Sequence, residues 1–281
     1  DRFNRAIATL SILNPNPVTG EAYYNLGLSL HFQYRNREAY DAFYKATWSA
    51  DFQDAAWFQC AGISSVEGRY ADALVEVENS LSRNNRNQKA KAFRVMLLRK
   101  LGMTVKALEY AEASVKSEDF DIVCYYEKSL LSGEQEVWKN LVNSEGFLMQ
   151  NLEQVAYDYT GCGFYTDALI MLEQCLTHGH ENPMVWYSIA WLQWITGKDN
   201  VFALQKAFNS SPDYCFPNRI ESLLALEKAV QVNDTDYNAH YYLGNLWYDK
   251  QQYDTAINHW EKALSLNRHF PAVLRNLAMA A

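Results

Sequence analysis

Small and apolar side chains recur along this chain in a fixed order: a small residue, alanine or a like residue 12 positions on, a bulky apolar residue 4 later, and a small one 3 beyond. Five stretches follow it: Gly27/Ala39/Phe43/Ala46, Ala61/Ala73/Val77/Ser80, Val95/Ala107/Ala111/Ser114, Ala156/Ala168/Leu172/Cys175 and Gly244/Ala256/Trp260/Ala263. Steps of 4 and 3 trace one face of an α-helix, and a step of 12 is what a turn leaves between facing positions of two antiparallel helices. No run alternates with strand period over a useful length, so the pattern predicts an all-α chain of about seventeen helices and no sheet.

The stretches themselves recur at 34 residues, from Gly27 to Ala61 to Val95 and again from Ala156 to Ala190. Such a period means a solenoid, in which each helix pair buries its apolar face on its neighbours. From Val95 to Ala156 the interval is 61 residues rather than 68, so one unit is short by about two helical turns. From Ala190 to Gly244 it is 54. The expectation is one solenoid over residues 1–281, irregular near 120–146 and 199–236.

Gly27 and Gly244 fall mid-helix, where glycine costs about 1 kcal/mol against alanine. Close approach of the partner helix would offset that, and a leucine at either site would overpack by about 1–3 kcal/mol. The same packing role is assigned to Ala39, Ala61, Ala73, Ala107, Ala156, Ala168, Ala190 and Ala256. Punctuation agrees. Pro15, Pro17, Pro183, Pro212, Pro217 and Pro271 lie between predicted helices or in a first turn. Gly68, Gly102, Gly133 and Gly197 fall in the turns within units, and Gly161-Cys162-Gly163 reads as another helix-to-helix turn.

The segment Ala239-His240-Tyr241-Tyr242-Leu243-Gly244-Asn245-Leu246-Trp247-Tyr248, with Tyr253-Asp254-Thr255-Ala256-Ile257 and Trp260-Glu261-Lys262-Ala263-Leu264, resembles a tetratricopeptide repeat almost residue for residue. So does Ala22-Tyr23-Tyr24-Asn25-Leu26-Gly27. The resemblance implies a right-handed superhelical solenoid of antiparallel helix pairs and an interaction or scaffold role. It weakens over about 120–146 and 199–218.

Both ends look cut from a longer chain. Phe3, Ile7 and Leu10 mark a helix already under way, and Pro271–Ala278 opens a unit whose second helix is absent, so neither end supplies a polar cap. The stretch Pro212-Asp213-Tyr214-Cys215-Phe216-Pro217-Asn218-Arg219 with Leu226-Glu227-Lys228-Ala229 is similar to the C-terminal repeat region of a group of large bacterial proteins. In those a β-rich domain similar to carbohydrate-active enzymes precedes the array, which implies that any catalytic residues lie upstream of Asp1.

Tyr 19, Phe 13 and Trp 8 make 14% of the chain aromatic, more than a helical bundle needs for filler. The first helix of each unit lines the concave surface of such an array. On its open face the helical period places Tyr24, Leu28, Phe32, Phe58, Tyr126, Tyr157, Tyr187, Trp191, Trp194, Tyr241, Asn245 and Tyr248. Two readings stand: a recognition surface for a peptide, a sugar ring or another domain, or rings packed between neighbouring helices. The Lys/Arg/Asn clamp by which well-known tetratricopeptide grooves grip a C-terminal carboxylate is not supported, since its places carry Tyr24 and Leu28, or Phe58 and Gly62.

Charge and chemistry narrow the function. The net charge of −8 repels a phosphate backbone unless basic side chains are segregated on one face, and they read as dispersed, so nucleic acid is excluded. Cys60, Cys124, Cys162, Cys175 and Cys215 are odd in number and widely spaced, which suits thiols in a reducing, cytoplasmic setting. No apolar stretch is long enough for a membrane span, and the first residues do not read as a signal peptide. His178-Gly179-His180 near Cys175 lacks a fourth ligand and reads as a solvated loop. Gly161-Cys162-Gly163 lacks the preceding strand of a dinucleotide site. Glu76/Glu78 and Glu134/Glu136 lie two apart on helices and read as solvated surface. The chain is thus expected to be no enzyme and to need no cofactor or metal, and to bind a protein, a peptide or its own upstream domain. The alternatives are a carbohydrate-binding or purely structural accessory region.

Overall fold

The chain is described here by a computed structural model that covers residues 4–5, 7–8, 19–118, 121–144, 147–213 and 215–280. Asp1, Phe3, Leu10, Pro15, Pro17 and Tyr214, which carry expectations above, lie outside the described residues. Ile7 lies in a helical stretch and is half-buried.

Sixteen helices and no strand are found among the described residues. They form two compact units, residues 1–147 with 161–164, and 148–160 with 165–281. The first holds α1 (Glu21–His31), α2 (Asn36–Ala46), α3 (Gln53–Val66), α4 (Tyr70–Arg83), α5 (Gln88–Lys100), α6 (Thr104–Ser117), α7 (Ile122–Ser132) and α8 (Gln135–Val142). The second is built from α9 (Gln150–Gly161), α10 (Tyr165–Thr177), α11 (Pro183–Ile195), α12 (Val201–Asn209), α13 (Ile220–Val232), α14 (Tyr237–Asp249), α15 (Tyr253–Leu266) and α16 (Pro271–Ala280). Helices adjacent in the chain pack as hairpins at α1–α2, α3–α4, α5–α6, α7–α8, α11–α12 and α14–α15.

Local chemistry explains where helices begin and turn. The side chains of Asn87, Asp121, Asn182 and Asp236 each accept a backbone N–H in the first turn of the helix that follows, satisfying donors that a helix start leaves unpaired. Each of these six hairpin turns, and the α9–α10 turn, contains one residue in the left-handed region. In five turns it is glycine, at Gly68, Gly102, Gly133, Gly163 and Gly197. In the α1–α2 and α14–α15 turns it is Tyr34 (φ 60°) and Gln251 (φ 58°).

The mid-helix glycines are close-approach sites. A Cβ on Gly27 would fall 2.6 Å from the Phe43 ring, and one on Gly244 would fall 2.2 Å from Cδ1 of Trp260. Each ring therefore lies flush on the backbone of the opposite helix, which no larger residue allows. All ten of the small residues assigned to packing are buried.

The two irregular intervals have simple physical forms. Helix α8 has 8 residues where α4 and α6 have 14, so its hairpin is shortened by nearly two turns. Between Pro183 and Val232 there are three helices where an ordinary unit has two, and α13 packs on both α11 and α14. The extra helix accounts for the long step from Ala190 to Gly244.

One surface expectation fails. Glu76 is 5% exposed and its carboxylate accepts a 2.6 Å hydrogen bond from the Tyr40 hydroxyl on the preceding hairpin. Burial pushes the Glu76 carboxyl above its usual range. Glu78, two residues on, faces outward beside Arg94 at 3.6 Å. Glu136 is exposed and pairs with Lys139. Among the described residues no helix is long and apolar enough to cross a membrane.

Candidate functional site

The residues expected on an open face divide by burial. Tyr126, Tyr157, Tyr187, Trp191 and Tyr241 are buried, at 9% exposure or less. Tyr24, Leu28, Phe32, Phe58 and Asn245 are half-buried, and Trp194 and Tyr248 are exposed.

The five buried rings bind helix to helix. Tyr126 tilts against Trp138 of α8, with centroids 4.9 Å apart. Tyr187 of α11 donates 2.9 Å to the carboxylate of Asp236 and meets Tyr242 of α14 edge-on. That carboxylate, raised by burial, also caps α14, so one residue ties the start of a helix to the side of another. Tyr157 lies under the Arg219 guanidinium, 4.8 Å from its ring centre, and its hydroxyl is 3.4 Å from that of Ser188. Tyr241 packs on Phe270, and Trp191 meets Tyr165 edge-on. For these five, packing between helices is the role the structure gives, and an open lining is not. The aromatic excess is largely explained this way, because each ring buries a large area across an interface between thin layers.

The half-buried set grades toward the surface. Tyr24 touches Phe43 and Phe52, and burial raises its hydroxyl pKa. Phe58 meets Phe93 edge-on, Phe32 caps α1 against His31, and Leu28 packs on the core of the first hairpin. Asn245 is committed to the fold: its Oδ1 accepts from Nε1 of Trp260 at 3.1 Å and from Nδ2 of Asn276 at 2.9 Å.

Trp194 and Tyr248 keep contact area open to solvent. Trp194 is 44% exposed and carries the Lys228 ammonium 3.9 Å from its ring centre. Tyr248 stands beside Trp260 and next to Tyr253, which is 49% exposed. Sequence reasoning misses Tyr253, because the helical period places it on the second helix of its pair.

Other candidate chemistry is dispersed. His178 is held by the carbonyl of Gln174 and His180 by Glu153 at 2.6 Å, so the two rings serve separate contacts. No group of three or more His, Cys, Asp or Glu suited to a metal occurs among the described residues. All five cysteines are buried as free thiols. Burial pushes Cys175 up to about 12 and Cys215 up to about 11, which keeps both protonated and poor nucleophiles at neutral pH. The cavity beside Tyr157, Ser188 and Trp191 measures about 10 Å³, room for no more than a water.

The described helices and hairpins define a helical-repeat protein. Residues 237–270, which span α14 and α15, match the tetratricopeptide repeat family model. That hairpin is the part of the chain for which the family match is shown. Among solved structures the chain is similar to a tetratricopeptide repeat protein from Parabacteroides merdae, at 14% identity over 93% of this chain and 98% of that one, with a TM-score of 0.43. It is similar also to YrrB, described as having an unusual peptide-binding site, at 14% identity over 98% and 97% of the two chains and a TM-score of 0.36. The C-terminal part of a repeat protein from Cytophaga hutchinsonii matches at 13% identity over 90% and 99%, with a TM-score of 0.38.

Proposed function

We propose that the chain is a non-catalytic interaction module that holds a peptide, a protein or an adjacent domain, using rings left exposed on its second unit. The observation that carries this is the pair Tyr248 and Tyr253, at 36% and 49% exposure. They flank the turn of the hairpin with the family match, 5.0 Å apart. A solvated aromatic pair beside a firmly packed Trp260 is a rigid contact patch of the kind that concentrates binding energy in protein interfaces. Trp194 is a second contact point. Its ring has one face occupied by Lys228, which favours a polypeptide partner over a sugar stacked on that face.

The test begins with chemical cross-linking to capture a partner of the wild-type chain. Purified partner is then titrated against wild type, Trp194→Ala and a Tyr248→Ala/Tyr253→Ala variant, with circular dichroism to confirm that each is folded. A loss of roughly tenfold or more in affinity is expected from truncating such anchors. Unchanged affinity in both variants rejects the reading.

A further inference from the structure

From Asn79 to Leu108 the chain carries eight of its 25 Lys and Arg residues and none of its 33 Asp and Glu. The dispersed basic charge expected from sequence does not hold here. The stretch runs from the last turn of α4 through α5 into α6. Between α4 and α5 the structure has a groove of about 290 Å³ lined by Glu78, Leu81, Ser82, Asn85, Lys91 and Arg94. Arg83, Arg86 and Lys89 lie in the same stretch, and Arg83 and Arg86 are exposed.

We propose that this groove holds an acidic polypeptide segment through its side-chain carboxylates. Arg94 is the anchor. Its guanidinium carbon lies over Tyr110, 3.6 Å from the ring centre, so the side chain is held in place before any ligand arrives. Its Nε is buried without a hydrogen-bond partner, and its only ion pair among the described residues is the long 3.6 Å approach to Glu78. A carboxylate in the groove would give it the bidentate partner that this geometry favours. Lys91 lies one helical turn from Arg94, and Leu81, 7% exposed, makes an apolar floor.

Charge complementarity selects the occupant. The cations are spaced along a helix and a turn, which matches carboxylates strung along an extended chain better than one compact phosphate. The −8 of the whole protein repels any anion at long range, and a densely charged phosphate backbone more than a short acidic segment. A nucleic acid would also lack a ring to stack on, because the Tyr110 face is covered by Arg94. The groove belongs to the first unit and the exposed rings to the second, with no residue in common, so the two readings stand or fall independently.

The test is fluorescence anisotropy at low ionic strength, with the 281-residue chain and a labelled oligoglutamate peptide whose C-terminus is amidated. Saturable binding that weakens with added salt is expected. Lys91→Glu should weaken it roughly tenfold and Glu78→Gln should tighten it. Val201→Ala, at an exposed residue of the second unit, should leave it unchanged. Arg94→Gln serves as the second variant if Lys91→Glu loses its helical circular dichroism. Absence of binding, equal affinity in the groove variants, or tighter binding of an oligothymidylate of equal length overturns the proposal. The last outcome assigns the groove to nucleic acid.

Discussion

The Nδ1 atoms of His240 and His259 lie 3.0 Å apart across the α14–α15 hairpin, with ring centroids at 5.3 Å. Those two distances fit an arrangement in which both centroids and both nitrogens fall on one line, so the contact is a head-on N–H···N hydrogen bond that has room for one proton. His240 Nε2 donates to the carbonyl of Asp234 at 3.2 Å. Its Nδ1 is therefore the acceptor when the ring is neutral, and His259 is the donor. Protonating both rings would set two N–H groups against each other.

Acid should accordingly loosen this hairpin. The charged groups facing the pair are Asp234, which Lys262 also holds, and Asp236 at the start of α14. Burial, and next the charge of His240, hold the His259 pKa below its usual value. A histidine with a depressed folded pKa favours the neutral folded state. Its contribution is complete above the unfolded pKa of about 6.5 and is lost as pH falls from there through the folded value. Urea unfolding at pH 8 and pH 5 should thus show a larger acid loss for wild type than for His259→Asn. An acid loss of the same size in the variant would dismiss the pair as a proton sensor.

Gly244 and Trp260 supply a cleaner test of the close-approach rule. On a solvated helix, replacing glycine by alanine stabilises by about 1 kcal/mol. Here the new methyl would meet the indole at 2.2 Å, so Gly244→Ala should instead destabilise by about 1–3 kcal/mol. Pairing it with Trp260→Leu should return part of that loss in a double-mutant cycle. Additive effects would mean that the ring is free to move aside, and the glycine would then need another explanation.

Much of this hairpin chemistry is legible in the sequence. Gly27 with Phe43 and Gly244 with Trp260 recur at one spacing, because a ring and the backbone beneath it are fixed by a single turn. The fate of the rings is not legible. Helical period tells which residues share a face, yet in a stacked array the next hairpin covers faces that an isolated pair would expose. Tyr187 is the clear case, sealed by Tyr242 and Asp236 from a helix some fifty residues on. Glu76 is the same effect for a charge, since its partner Tyr40 belongs to the preceding hairpin. The basic groove leaves a signal that periodicity does not read: the absence of any acid between Glu78 and Glu109.

Gln251 identifies a site where the local backbone and the residue disagree. Tyr34, Gly68 and Gly102 are spaced at 34 residues, as are Gly163 and Gly197, and each takes a positive φ in its hairpin turn. The same geometry at Gln251, φ 58°, puts a side chain where its Cβ crowds the following carbonyl. That crowding costs about 1–2 kcal/mol, part of which glycine would return as greater freedom in the unfolded chain. Gln251→Gly should therefore stabilise by about 0.5–1 kcal/mol. Gly102→Gln, the reverse change in an equivalent turn with open space around it, should destabilise by a similar amount. With open space at Gly102, its substitution isolates the backbone cost, against which the gain at Gln251 can be compared. A Gln251→Gly variant with an unchanged or lower urea midpoint would show that the glutamine holds its turn by a contact that outweighs the strain.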